Sequence, residues 1–171
     1  MENRKINIVV SDELKQAWPG FQGAAVFARV KNSGYNEQLW KRIDEFTELY
    51  RSKYTTDSIK NMPSIQATRQ AYKKCGKDPS RYRPSSEALC RRILRGIPLY
   101  QIDTLVDLIN LASINCGHSI GGFDLDKIQG DELVLGIGKA GEPYEGIGRG
   151  ELNIEGMPVY RCILYTSDAA D

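Results

Sequence analysis

The chain has 171 residues, enough for one domain with a real core, and its 41% hydrophobic and 26% charged content is that of a soluble globular protein. A net charge of +1 gives no global pull toward nucleic acid, so any RNA contact has to come from a local patch. No apolar run is long enough for a membrane span, and the opening MENRKINIVV lacks the form of a secretory signal. One histidine, His118, excludes a multi-histidine zinc site, and Cys75, Cys90, Cys116 and Cys162 include no C-x-x-C pair. The sequence therefore implies no metal and no cofactor, and the cysteines read as free thiols in a reducing cytoplasm. Phosphate-loop and G-x-S-x-G patterns are absent.

In chain order, the β-branched run Ile6 to Val10 predicts a strand, followed by turn chemistry at Pro19-Gly20. Ala24 to Val30 predicts a second strand. From Ser33 to Tyr54, Leu39, Trp40, Ile43, Phe46, Leu49 and Tyr50 step by three and four, the period of an amphipathic helix. Pro63 fits the first turn of the next helix, which Gly76 ends with a left-handed cap. A third helix runs from Ser85 to Arg95 and stops at Gly96. A fourth runs from Thr104 to Asn115 with Asp103 as its N-cap, and is apolar enough all round to predict burial. Thereafter glycine is dense, with 11 of the 16 glycines between Gly117 and Gly156. Strands are expected at Glu132 to Ile137 and Pro158 to Leu164. The plan is α+β, with helices packed on a mixed or antiparallel sheet.

Local charge departs from the average in one place. Between Lys73 and Arg95 eight lysines and arginines face two acids, Asp78 and Glu87, with Tyr72 and Tyr82 interleaved. Arginines bridge phosphates and tyrosines stack on unpaired bases, although such runs are often only solvated helix faces.

Three motifs occur in order: Asp78-Pro-Ser-Arg-Tyr-Arg-Pro-Ser-Ser-Glu-Ala-Leu89 with Arg91-Arg92, Ile102-Asp-Thr-Leu-Val-Asp-Leu-Ile-Asn110, and Gly121-Gly-Phe-Asp-Leu-Asp-Lys-Ile128. Together they resemble the B3/B4 domain family, the tRNA-editing domain of the phenylalanyl-tRNA synthetase β subunit, and more closely its free-standing branch. The resemblance runs from about Trp40 to Arg161. It implies an editing-type α+β fold and a cytoplasmic protein. It further implies a partner in the aminoacylated 3′ end of a tRNA, with no DNA and no membrane. The implied activity is hydrolysis of a misacylated ester, the alternative being a non-catalytic RNA or amino-acid binding module on the same fold.

Carried over residue by residue, the resemblance puts Asn110 in the catalytic position. Ile109, Asn110, Gly121 and Gly122 become pocket residues, and Lys77, Arg81, Arg83, Arg91, Arg92 and Arg95 become the RNA-binding set. The synthetase pattern V-D-V-T-N is Val106-Asp-Leu-Ile-Asn110 here, so Ile109 replaces a threonine. In G-Q-P-M-H-A-F-D the histidine position is Gly121, and His118 lies three residues earlier. His118 and Cys116 read better as structural or exposed residues than as base and nucleophile. Asp107, inside an apolar helix, needs a backbone or arginine partner. Asp124, Asp126 and Glu142 suit turn-capping better than metal binding. The closing CILYTSDAAD reads as the translation of a sequencing-library adapter. The domain is accordingly taken as residues 1–161, incomplete at its C-terminus, with 162–171 a non-native tail.

Overall fold

A computed structural model describes residues 4–146, 150–162 and 166–168, the last three as backbone. Among the described residues the fold is α+β, as expected. The chain divides into a helical unit, Gly23–Arg69 with Arg83–Ile120, and a sheet unit made of the residues up to Gln22, Gln70–Tyr82 and those from Gly121 onward.

The helical unit contains α2 (Glu37–Lys53), most of α3 (Pro63–Lys74), α4 (Ser85–Leu94) and α5 (Thr104–Cys116). Its core is Ile43, Tyr50, Ile59, Ile65, Cys90, Ile93, Leu99 and Ile114; of the α2 positions that step by three and four, Ile43 and Tyr50 are in it, Leu39, Trp40 and Phe46 pack against it, and Leu49 is 51% exposed. Asn36 caps α2 by accepting from the Leu39 amide at 2.9 Å. Tyr50 donates to Cys90 Sγ at 3.2 Å inside this core, and burial pushes both groups above their ordinary pKa ranges.

In the sheet unit, β1 (Asn7–Val10) pairs in parallel with β2 (Glu132–Ile137). β2 pairs antiparallel with β5 (Pro158–Arg161), and β5 with β6 (Thr166–Asp168), giving a mixed sheet in the order β1-β2-β5-β6. A small hairpin, β3 (Glu145–Gly146) and β4 (Gly150–Glu151), stands apart. The short helix α1 (Asp12–Ala17), missed in the sequence, is capped by Ser11 and buries Leu14 against Leu135 and Ile137. β6 falls in the segment read above as a tail. Of the expected strand Pro158 to Leu164, Ile163 and Leu164 lie outside the described residues.

Two expectations are corrected. Ala24 to Val30 forms no strand: it lies with Val26 90%, Phe27 58% and Val30 58% exposed. A strand exists only where a neighbour takes its backbone groups, and no described strand lies beside this segment, so β-propensity alone does not suffice. Nor is α5 buried all round. Leu108 is 49% exposed, because within the unit the helix packs on α2 and α4 and leaves its other side open.

Candidate functional site

Ile109 and Asn110 sit half-buried on α5 in the helical unit. The start of α5 is tightly fixed. Asp103 accepts from the Val106 amide at 2.9 Å, Asn32 from the Leu105 amide at 3.0 Å, and the Ser33 carbonyl from the Thr104 amide at 2.8 Å. The Val106 amide, then the Asn32 side chain, hold the Asp103 carboxyl below its usual range. Asp107, only 1% exposed, accepts from Trp40 Nε1 at 2.8 Å and from the Ile102 amide at 3.0 Å. It has the backbone partner that its burial demands, with an indole where an arginine was the alternative. Gly117 ends α5 at φ +73°, and Ser113 donates to the His118 carbonyl at 2.6 Å, leaving the His118 side chain exposed.

Gly121 and Gly122 belong to the sheet unit, on the loop leading to the short 3-10 turn Leu125–Lys127. Asp124 caps that turn through the Asp126 amide at 3.1 Å. Arg4 ties the loop down by donating to the carbonyls of Leu125 at 2.9 Å, Ile128 at 2.7 Å and Gly130. The four expected pocket residues thus come from two units, Ile109 and Asn110 from one, Gly121 and Gly122 from the other.

The basic stretch divides likewise. Lys77 follows a Schellman end to α3, with its own amide bonded to the Tyr72 carbonyl at 2.8 Å and that of Gly76 to the Lys73 carbonyl at 3.1 Å. Its side chain turns inward. Lys77 is 6% exposed, donates to the Asn153 carbonyl at 3.2 Å and lies 3.9 Å from the Tyr82 ring centre. Arg81 is exposed, 5.5 Å from the same ring. In the helical unit, Arg91 Nε donates to Glu87 at 2.8 Å, while Arg92 Nε donates to the Pro98 carbonyl and stacks 3.8 Å from the Tyr100 ring. Arg83 and Arg95 are exposed. The run is therefore part structural cement and part solvated cation.

Glu87 was missed as anything but a counter-charge. It has 0% exposure and takes three hydrogen bonds, two from Arg69 and one from Arg91. The i,i+4 spacing of Glu87 and Arg91 was a readable signal; the Arg69 contact was not. Glu142, read as a turn-capping acid, accepts from the Lys139 amide at 2.8 Å and also clamps Arg161 with two bonds of 2.6 Å. Burial, then the neighbouring Glu13, push the Cys75 thiol up, which disfavours the nucleophilic thiolate. Among the described residues, no three His, Cys, Asp or Glu side chains gather as a metal site.

The family model of the B3/4 domain matches residues 67–164. The chain belongs to the B3/4 domain family. The matched stretch covers more than half of the 171 residues and contains all three motifs, α4, α5 and the loop carrying Gly121 and Gly122. It begins later than the resemblance read from the sequence, which reached back to Trp40 in α2. No curated protein and no solved structure matches this B3/4 chain. No helix among the described residues is long and apolar enough to cross a membrane.

Proposed function

We propose that this B3/4 protein binds the aminoacylated 3′ end of a tRNA and hydrolyses a wrongly attached amino acid from it, in the manner of the phenylalanine-tRNA ligase β-subunit editing domain. Membership in the B3/4 family carries this reading. The need for such chemistry is general: a synthetic pocket separates similar side chains poorly, and a second site that cleaves the wrong ester restores fidelity.

In this reading residues 1–161 act as one domain in the cytoplasm. Asn110 orients the ester or the attacking water through its carboxamide, and Ile109 gives the pocket an apolar wall. Gly121 and Gly122 offer backbone groups at close approach, where an amide N–H serves the developing oxyanion without a side chain. The solvent-facing arginines, Arg81, Arg83 and Arg95, with Arg92 beside them, meet phosphates. Lys77 and Arg91 contribute mainly through the field around them, since their heads are engaged within the fold.

A second reading is favoured by Ile109 and Gly121, which stand where the synthetase pattern has threonine and histidine. The same pocket then holds an RNA end or an amino acid without turnover. Deacylation of a panel of misacylated tRNAs separates the two. The editing reading expects one mischarged tRNA to lose its amino acid faster, with loss of that rate in Asn110→Ala. Salt-sensitive tRNA binding without release selects the binding module. Neither release nor binding overturns both.

A further inference from the structure

We propose that the cleft at the C-terminal end of α3 binds a free α-amino acid as its zwitterion. The cleft has a volume of about 660 Å³, and its walls lie wholly within the sheet unit. Six of the side chains around it matter here: Glu13 from α1, Lys77, Arg81 and Tyr82 from the loop after α3, Lys139 from the turn after β2, and Glu155 from the turn before β5.

Charge of both signs surrounds this space. Among the described residues, the Glu13 and Glu155 carboxylates form no ion pair or hydrogen bond with the protein, and the Arg81 side chain has only its ring contact to Tyr82. A simple anion entering the cleft meets Glu13, Asp78 and Glu155, and a simple cation meets Lys77, Arg81 and Lys139. A ligand carrying both charges close together satisfies each set. The α-amino acid is the smallest such molecule with a variable third group. Its carboxylate suits the planar fork of Arg81 and the field of Lys77, its ammonium suits Glu155 and Glu13, and the Tyr82 ring offers an apolar face to its side chain.

The walls are built rather than incidental. Gly156, at φ +72°, approaches the end of α3 so closely that a Cβ there would lie 2.9 Å from the Cys75 carbonyl oxygen. That approach brings the Asn153 carbonyl within 3.2 Å of the Lys77 ammonium. Burial, then the neighbouring Glu13, push the Cys75 thiol that lines the cleft up. The proposal uses none of Ile109, Asn110, Gly121 and Gly122, and it stands independently of ester hydrolysis.

The test is calorimetric titration of the full chain with the free amino acids, then with matched probes of the best binder. The N-acetyl derivative lacks the ammonium, the α-amide lacks the carboxylate, and inorganic phosphate is the plain anion. At least one free amino acid is expected to bind, and blocking either end to weaken it about tenfold or more. Arg81→Ala should weaken the free amino acid about tenfold and the amide little; Glu155→Gln should weaken the free amino acid and spare the N-acetyl form. Both positions are exposed, and circular dichroism checks that the variants fold. No binding at concentrations on the order of 10 mM overturns the proposal. So does N-acetyl amino acid or phosphate binding as tightly as the free amino acid. An Arg81→Ala change that lowers tRNA affinity and leaves amino-acid binding intact assigns Arg81 to RNA and overturns the cleft reading.

Discussion

Arg69 reaches Glu87 through a single nitrogen, Nη1, which donates to both carboxylate oxygens at 3.0 and 2.9 Å. Arg91 Nε adds a third bond at 2.8 Å, and Glu87 is sealed from solvent. Removing the acid takes away the buried carboxylate that both arginines, with side chains 22% and 19% exposed, share. Glu87→Ala is expected to destabilise the protein by about 3 kcal/mol in urea unfolding. Glu87→Gln, which keeps one acceptor oxygen, should fall between it and the parent.

Trp40 and Asp107 form another polar link of the helical unit, with Asp107 buried and Trp40 partly so. Asp107→Asn keeps one acceptor oxygen but turns an NH₂ toward either Trp40 Nε1 or the Ile102 amide, both of which are donors. The expected loss is about 1–3 kcal/mol. Trp40 emission should shift as well, and replacing Trp18, the other tryptophan, with Phe isolates that signal.

Local grammar was legible in this chain. Asp103 caps α5, Pro63 opens α3, Gly76 and Gly96 take positive φ, and β2 spans the expected residues. These features depend on neighbours within a few residues. What escaped depends on distant ones. Ala24 to Val30 has the composition of a strand and, among the described residues, no strand beside it. Lys77 looks like a solvated cation until the Asn153 carbonyl, 76 residues on, comes to meet it. Glu87 looks like a surface acid until Arg69 folds over it. The expected pocket residues were legible only one by one, and Asn110 and Gly121 are carried by different units, a division that sequence spacing does not encode.

Gly138 has no positive φ and is nonetheless required as glycine. A Cβ there would lie 2.0 Å from the Ile154 carbonyl oxygen and 2.8 Å from its carbon, backbone atoms that cannot swing aside. The surrounding turn is fixed by the Gly138 amide to the Met157 carbonyl at 2.8 Å and the Gly156 amide to the Gly138 carbonyl at 2.9 Å. Gly138→Ala should cost about 3 kcal/mol. Gly141→Ala is the control: φ is +69° with nothing within 4 Å of the added carbon, so only backbone strain of about 1 kcal/mol is expected. Thermal melts of the two variants should separate crowding from strain.

The Asp103 carboxyl is held below 3.8, its ordinary value, by the Val106 amide and the Asn32 side chain. The folded state therefore favours the ionised form. Its contribution is complete above about pH 4 and fades as the pH falls through the lowered folded value. Asp103→Ala should lose about 1 kcal/mol near neutral pH, the usual worth of an N-cap. Asp103→Asn keeps an acceptor for the Val106 amide but does not titrate. It should match the parent closely near neutral pH and lose less stability on acidification. Urea unfolding of the three proteins at a series of pH values from neutral to acid checks this: an acid limb equally steep in Asp103→Asn would take that role away from Asp103.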